Sequence, residues 1–97
     1  MNFAWDDNKN QENIGKHELD LADAWQIFEA PMLVDIDNRR DYGEKRFVGL
    51  SFLKNFVVVI VFTEPDEETI RVISLRKALK YEREQFEIYL QHELGQG

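Results

Sequence analysis

The chain contains no cysteine, only two prolines, and no apolar run long enough to cross a bilayer as a helix. Without cysteine there is no disulfide and no thiol nucleophile, which favours a reducing, cytoplasmic compartment. The longest apolar run, 56–62, is far shorter than the roughly 20 residues of a transmembrane helix. No cationic start followed by an apolar stretch opens the chain, so we expect neither a signal peptide nor a membrane partner.

Potential metal ligands are also scarce. The two histidines, His17 and His92, fall on separate predicted helices. Asp35 and Asp37 share one face of a predicted strand and could combine with Asp41 around a hard cation. Oxygen-ligand cations require more converging ligands than these three. We therefore predict an edge strand whose charges discourage pairing, with no metal and no cofactor.

What the sequence does contain is enough apolar material for one small domain. The 97 residues are 43% hydrophobic and include seven phenylalanines, so we expect a single domain over 1–97 with a frayed tail at 95–97. The net charge of −7 argues against broad, nonspecific nucleic-acid binding. It suits a protein that docks against a basic partner.

The hydrophobic pattern predicts the order α-α-β-β-β-β-α. Short connections, including a two-residue hairpin loop at Lys54-Asn55 in which asparagine takes a positive φ, favour an antiparallel meander. The sequence therefore predicts an α+β domain with a four-stranded antiparallel sheet packed against helices. The predicted helices cover 7–16, 21–30 and 77–94, and the predicted strands cover 32–37, 45–53, 56–63 and 69–76. The strand 56–63 is nearly all apolar, which predicts a central strand buried on both faces. One side of the last predicted helix is lined by Leu79, Phe86, Leu90 and Leu94.

The second predicted helix has the clearest apolar face. Leu21, Ala24, Trp25 and Phe28 follow one another at α-helical spacing, which predicts that Trp25 packs in the core. Asp20 is the expected N-cap of this helix, and Asp6 is the expected N-cap of the first. Proline after Ala30 ends the helix, because the residue before a proline disfavours helical angles.

Positive charge is concentrated where the last strand meets the last helix. An acidic protein that gathers cations at one strand end has a candidate anion site there; the alternative, that they pair with surplus acids elsewhere, stays open. Strict alternation would put Ser74 and Arg76 on one sheet face and Arg71 on the other. The cations between Thr69 and Arg83 are Arg71, Arg76, Lys77, Lys80 and Arg83, against the single acid Glu82.

Three further residues could contribute chemistry. Arg46 begins the second predicted strand, and its planar guanidinium suits phosphate oxygens. His17 follows Lys16 at the end of the first helix and could exchange a proton near neutral pH, or simply cap the helix. Tyr81 could donate or accept a proton, or be an ordinary surface aromatic.

Four sequence blocks, in this order and spacing, resemble the BrnT family of bacterial type II toxins. The resemblance covers roughly residues 3 to 87. The blocks are Phe3-x-Trp5-Asp6-x-x-Lys9-x-x-x-Asn13-x-x-Lys16-His17, Phe28-x-x-Pro31, Asp41-Tyr42-Gly43-Glu44-x-Arg46, and Arg71-x-Ile73-Ser74-x-Arg76-Lys77-Ala78 followed by Tyr81-Glu82-Arg83.

The resemblance implies a RelE-like fold and a metal-independent endoribonuclease that cleaves mRNA by attack of the 2′-hydroxyl. It also implies a BrnA-like ribbon-helix-helix antitoxin, a hetero-oligomer with it, and contact with DNA only through it. Cleavage needs a base, an acid and cations for the growing negative charge. The implied catalytic residues are His17, Arg46, Arg71, Arg76 and Tyr81, and the implied substrate-binding residues are Lys16, Ser74, Lys77 and Lys80.

The chain departs from the family pattern at several positions. Glu18 stands where the family has glycine, which would cost on the order of 1 kcal/mol if the position needs positive φ. Leu75 and Leu79 replace the alanine and threonine that the family has there. Two alternatives to the ribonuclease hypothesis remain: a non-catalytic partner-binding module, and a metal-dependent hydrolase that uses Asp35, Asp37 and Asp41.

Overall fold

A five-stranded mixed sheet forms the centre of the protein, and three helices pack around it. The computed structural model describes residues 1–39 and 41–93. Across the sheet the strand order is β1-β5-β4-β3-β2. The elements are β1 (Asn2–Ala4), α1 (Asp7–His17), a 3₁₀ helix (Leu21–Glu29), β2 (Leu33–Ile36), β3 (Phe47–Leu53), β4 (Phe56–Asp66), β5 (Thr69–Lys77) and α2 (Lys80–Glu93).

The predicted α+β class is confirmed, but the predicted four-stranded antiparallel sheet is wrong. Strand β1 adds a fifth strand that runs parallel to β5, with Phe3 opposite Ile70. The partly buried Phe3 ring lies 5.4 Å from the Phe28 ring, so this aromatic contact adds to the backbone pairing that holds the short strand. Three residues carry too little alternation to indicate a strand from sequence alone.

Helix α1 begins at its predicted cap and is held by two buried asparagines, one bonded to the sheet edge and the other to the start of the 3₁₀ helix. The Asp6 side chain accepts the Lys9 N–H at 3.0 Å. The Asn13 side chain accepts the Leu75 N–H at 3.1 Å and donates to the Leu75 carbonyl at 2.9 Å. Asn10 accepts the Leu21 N–H at 2.8 Å. Helix α1 therefore lies along the part of the β5 edge that β1 leaves open.

The second helix is 3₁₀ rather than α-helical, and its burial follows a period of three. Leu21, Ala24 and Ile27 are buried, whereas Trp25 is 47% exposed. The prediction that Trp25 packs in the core is therefore wrong, because residues at α-helical spacing do not share one face of the tighter 3₁₀ helix. Asp20 is the N-cap as predicted, and the helix ends before Pro31.

Strand β4 separates two apolar clusters, as its nearly unbroken apolar sequence predicted. Val58, Ile60 and Phe62 pack with the 3₁₀ helix side. Val59 packs on the other face with Phe86 of helix α2.

Helix α2 begins at Lys80, three residues later than predicted, because β5 continues to Lys77 opposite Val58. Leu79, predicted on the packed side of the last helix, is 55% exposed, and the predicted contact of Leu94 lies outside the described residues.

A one-residue bulge in β5 changes which side chains share a sheet face. Val61 pairs with Ser74, but the next residue of β4, Phe62, pairs with Val72, so Ile73 is an extra residue. Arg71 is opposite Thr63, and Arg76 is opposite Val59. Because alternate residues of β4 share a face, Arg71, Ser74 and Arg76 all lie on the α2 side. The predicted separation of Arg71 from Ser74 and Arg76 is wrong for this reason.

Among the residues that the structure describes, two non-glycine residues adopt the left-handed conformation. Glu18, at the C-cap of α1, has φ 59°, which is the conformation that the family's glycine would favour. In the hairpin between β3 and β4, Lys54 has φ 57°, whereas the sequence predicted the positive φ at Asn55.

None of the helices within residues 1–39 and 41–93 is both long and apolar enough to cross a membrane.

Substitution Glu18→Gly should stabilise the protein by about 1 kcal/mol, because glycine adopts positive φ without the steric cost of a Cβ. Urea unfolding of the two proteins measures this difference. The matched control, Glu12→Gly within the same helix, should destabilise by a similar amount, because a helix interior disfavours glycine. Destabilisation by Glu18→Gly would show that the glutamate side chain makes a compensating contact.

Candidate functional site

A cleft of about 400 Å³ lies on the α2 side of the sheet, between the segment after β2 and the start of α2. Its floor is formed by three valines of the central strands, and Ser74 extends the floor onto β5. One wall contains Asp37 and Arg39, and the other contains Arg76 and Glu82 with Tyr81 at its rim. The floor valines are Val48, Val59 and Val61.

Arg76 does not present a free positive charge in this cleft. Its Nη1 and Nη2 donate to Oε1 and Oε2 of Glu82, both at 2.8 Å. Glu82 Oε1 also accepts the Leu79 N–H at 2.8 Å, one of the backbone donors that a helix N-terminus leaves unpaired. The bonds from Arg76 lower the pKa of Glu82, and Glu82 raises the pKa of Arg76. This ion pair therefore fastens α2 to β5.

The opposite wall contains a second arginine–carboxylate pair. Arg39 Nε donates to Asp37 Oδ1 at 2.8 Å, and Arg39 Nη2 donates to Asp37 Oδ2 at 2.9 Å. The Tyr42 hydroxyl also donates to Asp37, at 3.3 Å. The Asp37 side chain is only 2% exposed, whereas that of Arg39 is 75% exposed. The hydrogen bonds from Arg39 lower the pKa of Asp37 to about 2.

A smaller cleft of about 210 Å³ adjoins the first and contains Lys16 and His17, whereas Tyr81 lines the larger cleft. It lies between α1 and β5, where Asn13 fastens the two elements together. Ser74 lines both clefts, so they meet at the bulge. Lys9, Lys16 and His17 contribute cationic or titratable groups against the single acid Glu12.

The structure thus brings together five of the nine predicted site residues. Lys16 and His17 lie on one side of Ser74, and Arg76 and Tyr81 lie on the other. Arg71 shares the sheet face but lies nearer the hairpin end of β5, and it forms no ion pair within residues 1–39 and 41–93.

The remaining three predicted residues lie apart from the clefts. The Arg46 guanidinium stacks 4.0 Å from the Tyr42 ring centre. Its buried Nε lies 3.9 Å from Glu44 and donates no hydrogen bond to any described residue. Lys77 Nζ lies 4.3 Å from the Phe56 ring centre. Lys80 is exposed at the start of α2.

Sequence reasoning missed the residues that neutralise the cleft. The sequence indicates Asp37 only as a metal ligand or as an exposed charge of an edge strand, whereas it is buried, and no sequence pattern singles out Arg39. Glu82 had a usable signal, since an acid three residues after a helix start commonly bonds the N-cap backbone.

Among the described residues, no group of three or more histidine, cysteine, aspartate or glutamate side chains is arranged to hold a metal ion.

The fold and the two clefts define a small α+β protein with a polar surface groove, and comparison with known proteins identifies the family. The family model described as ribonuclease toxin, BrnT, of type II toxin–antitoxin system matches residues 5–82. The chain is also similar to the crystal structure of the Brucella abortus ribonuclease toxin BrnT, with 29% sequence identity and a TM-score of 0.64. That match covers 82% of this chain and 99% of the other. No curated protein matches the chain.

The chain therefore belongs to the BrnT family of ribonuclease toxins of type II toxin–antitoxin systems. The resemblance carried by the four sequence blocks is confirmed, and an antitoxin is the partner that this class of system implies.

The Asp37–Arg39 pair predicts an acid-sensitive contribution to stability. Because the pKa of Asp37 is lowered, its stabilisation is fully present above about pH 4 and is lost as the pH falls towards 2. Asp37→Asn should therefore lower the free energy of unfolding by about 2 kcal/mol at pH 7. Urea unfolding between pH 2 and pH 7 measures the difference, which should shrink at the acid end.

The control for this experiment is Asp35→Asn. Asp35 is exposed on strand β2, so its substitution should change the free energy of unfolding by less than about 0.5 kcal/mol. A difference between wild type and Asp37→Asn that stays constant down to pH 2 would contradict the proposed ion pair.

Proposed function

We propose that the protein is a metal-independent endoribonuclease that cleaves mRNA by attack of a ribose 2′-hydroxyl on the adjacent phosphorus. The observation that carries this proposal is the meeting of two clefts at Ser74, with His17 and Lys16 on one side and Tyr81 and Arg76 on the other. Proton-transfer groups and cationic groups therefore line adjoining surfaces along which one RNA strand could lie.

In this reaction His17 removes the proton of the 2′-hydroxyl, since imidazole exchanges protons near neutral pH. The 2′-oxygen bonds to phosphorus, the bond to the 5′-oxygen breaks, and Tyr81 or Lys16 supplies a proton to the departing oxygen. The products are a 2′,3′-cyclic phosphate and a 5′-hydroxyl. No external oxidant or metal is needed for this balance.

Negative charge on the phosphate is stabilised by the cations that are not neutralised within the protein. Lys16 and Arg71 form no ion pair within the described parts of the chain. Arg76 is held by Glu82, so it provides oriented N–H groups more than net charge. Ser74, at the junction of the two clefts, would contact the reacting phosphate, whereas Lys77, Lys80 and Arg46 would contact more distant parts of the RNA.

We further propose that a BrnA-like ribbon-helix-helix antitoxin neutralises the toxin in a cytoplasmic hetero-oligomer, and that DNA is contacted through the antitoxin. The net charge of −7 supports a basic partner, because opposite charge accelerates and orients association.

The central test is cleavage of purified RNA in the presence of EDTA. Wild-type protein should cleave, and Arg71→Gln should lower the cleavage rate by about tenfold, because a cation is lost from the sheet face that carries the larger cleft. The matched control Lys54→Gln removes one positive charge from the β3–β4 hairpin and should leave the rate unchanged. Normal cleavage by folded Arg71→Gln would remove that residue from the site.

A non-catalytic partner-binding module is the second candidate, and the two neutralised arginines of the cleft favour it. Such a module would bind the antitoxin but leave RNA intact with or without EDTA. A metal-dependent hydrolase would instead be inhibited by EDTA. That hydrolase has little support, because both Asp37 oxygens are occupied by Arg39.

A further inference from the structure

The larger cleft has the composition of a site for a flat ring rather than for a phosphate. Its floor is apolar, formed by Val48, Val59 and Val61. Its two guanidiniums are each paired with a carboxylate, so the four wall groups carry no net charge. A volume of about 400 Å³ falls within the range of about 300–1,000 Å³ typical of small-molecule sites.

The adjoining cleft has the complementary character. Among the described residues that line it, Lys9, Lys16 and His17 are accompanied by a single acid, Glu12, and Ser74 lies at the junction with the larger cleft. A ligand with an anionic group on one side and an uncharged ring on the other would place the two groups in the two clefts. A nucleotide has this division between phosphate and base.

The hydrogen-bonding groups of the larger cleft favour a base edge that presents acceptors. Both Asp37 oxygens and both Glu82 oxygens already accept bonds from the arginines beside them. Each guanidinium has five N–H groups, and the carboxylate takes bonds from only two of its nitrogens. Guanine presents two adjacent acceptors, O6 and N7, which arginine reads in pairs, whereas adenine presents a donor beside N7.

We propose that the cleft between Arg39 and Arg76 binds a guanine base of the RNA, next to a phosphate held at Lys16 and His17. This inference rests on the proposed ribonuclease function for its ligand class. It assigns to Arg39, in the segment after β2, a role in base selection rather than in bond cleavage.

The first experiment is an NMR titration of the full chain, labelled at backbone amides and at valine methyl groups, with GMP, AMP, CMP and UMP. GMP should shift the methyl signals of Val48, Val59 and Val61 and should bind about tenfold more tightly than AMP. Arg39→Gln should abolish that preference, and the charge-matched control Lys54→Gln should retain it. Equal binding of the four nucleotides, or shifts confined to the surroundings of Lys16 and His17, would overturn the proposal.

The second experiment maps the sites cleaved in a mixed RNA, which separates failure of this inference from failure of the ribonuclease proposal. Wild type should cleave next to guanine, and Arg39→Gln should lose about tenfold in that preference while its total cleavage changes less. Cleavage without base preference would overturn the guanine site and leave the nuclease intact. Absence of cleavage together with selective GMP binding would refute the nuclease and support the guanine site.

Discussion

The paired hydrogen bonds between Asn13 and Leu75 determine where the rest of the groove can form. They satisfy a backbone N–H and a backbone carbonyl on the open edge of β5, as a neighbouring strand would. Both groups are buried, so loss of the asparagine amide would leave them unpaired at a cost of about 1–3 kcal/mol each. Because this contact holds α1 against β5, it also brings Lys16 and His17 to Ser74.

The bulge at Ile73 supplies the second constraint. In a regular strand Arg71 would lie on the opposite sheet face from Ser74 and Arg76. That is the face on which the 3₁₀ helix packs. The extra residue reverses the alternation, so both arginines lie on the α2 side. Asn13 bonds the strand two residues after the extra residue, at Leu75, which fixes the backbone beyond the bulge. The sheet face and the helix position are therefore set by neighbouring contacts on one strand.

Sequence patterns predicted the features that depend on local chemistry. The Asp6 cap, the helix end before Pro31 and the buried strand β4 follow from short-range rules. The features that depend on pairing between distant residues were not predictable in this way. Three residues of β1 gain their strand structure from β5, and one inserted residue in β5 is visible only in its register with β4. The exposure of Trp25 depends on a 3₁₀ period that the same sequence does not distinguish from an α-helical one.

The sequence located only part of the candidate site because it does not show which charges are neutralised in the folded protein. A cluster of cations between Thr69 and Arg83 is visible in the sequence, but its net charge depends on which acids fold against it. Glu82 both neutralises Arg76 and caps α2, so removal of Arg76 would leave a buried carboxylate unpaired and would loosen the helix as well. A loss of activity in that variant would not separate chemistry from folding. Arg71, which is exposed and forms no ion pair within the described residues, reports on electrostatics alone.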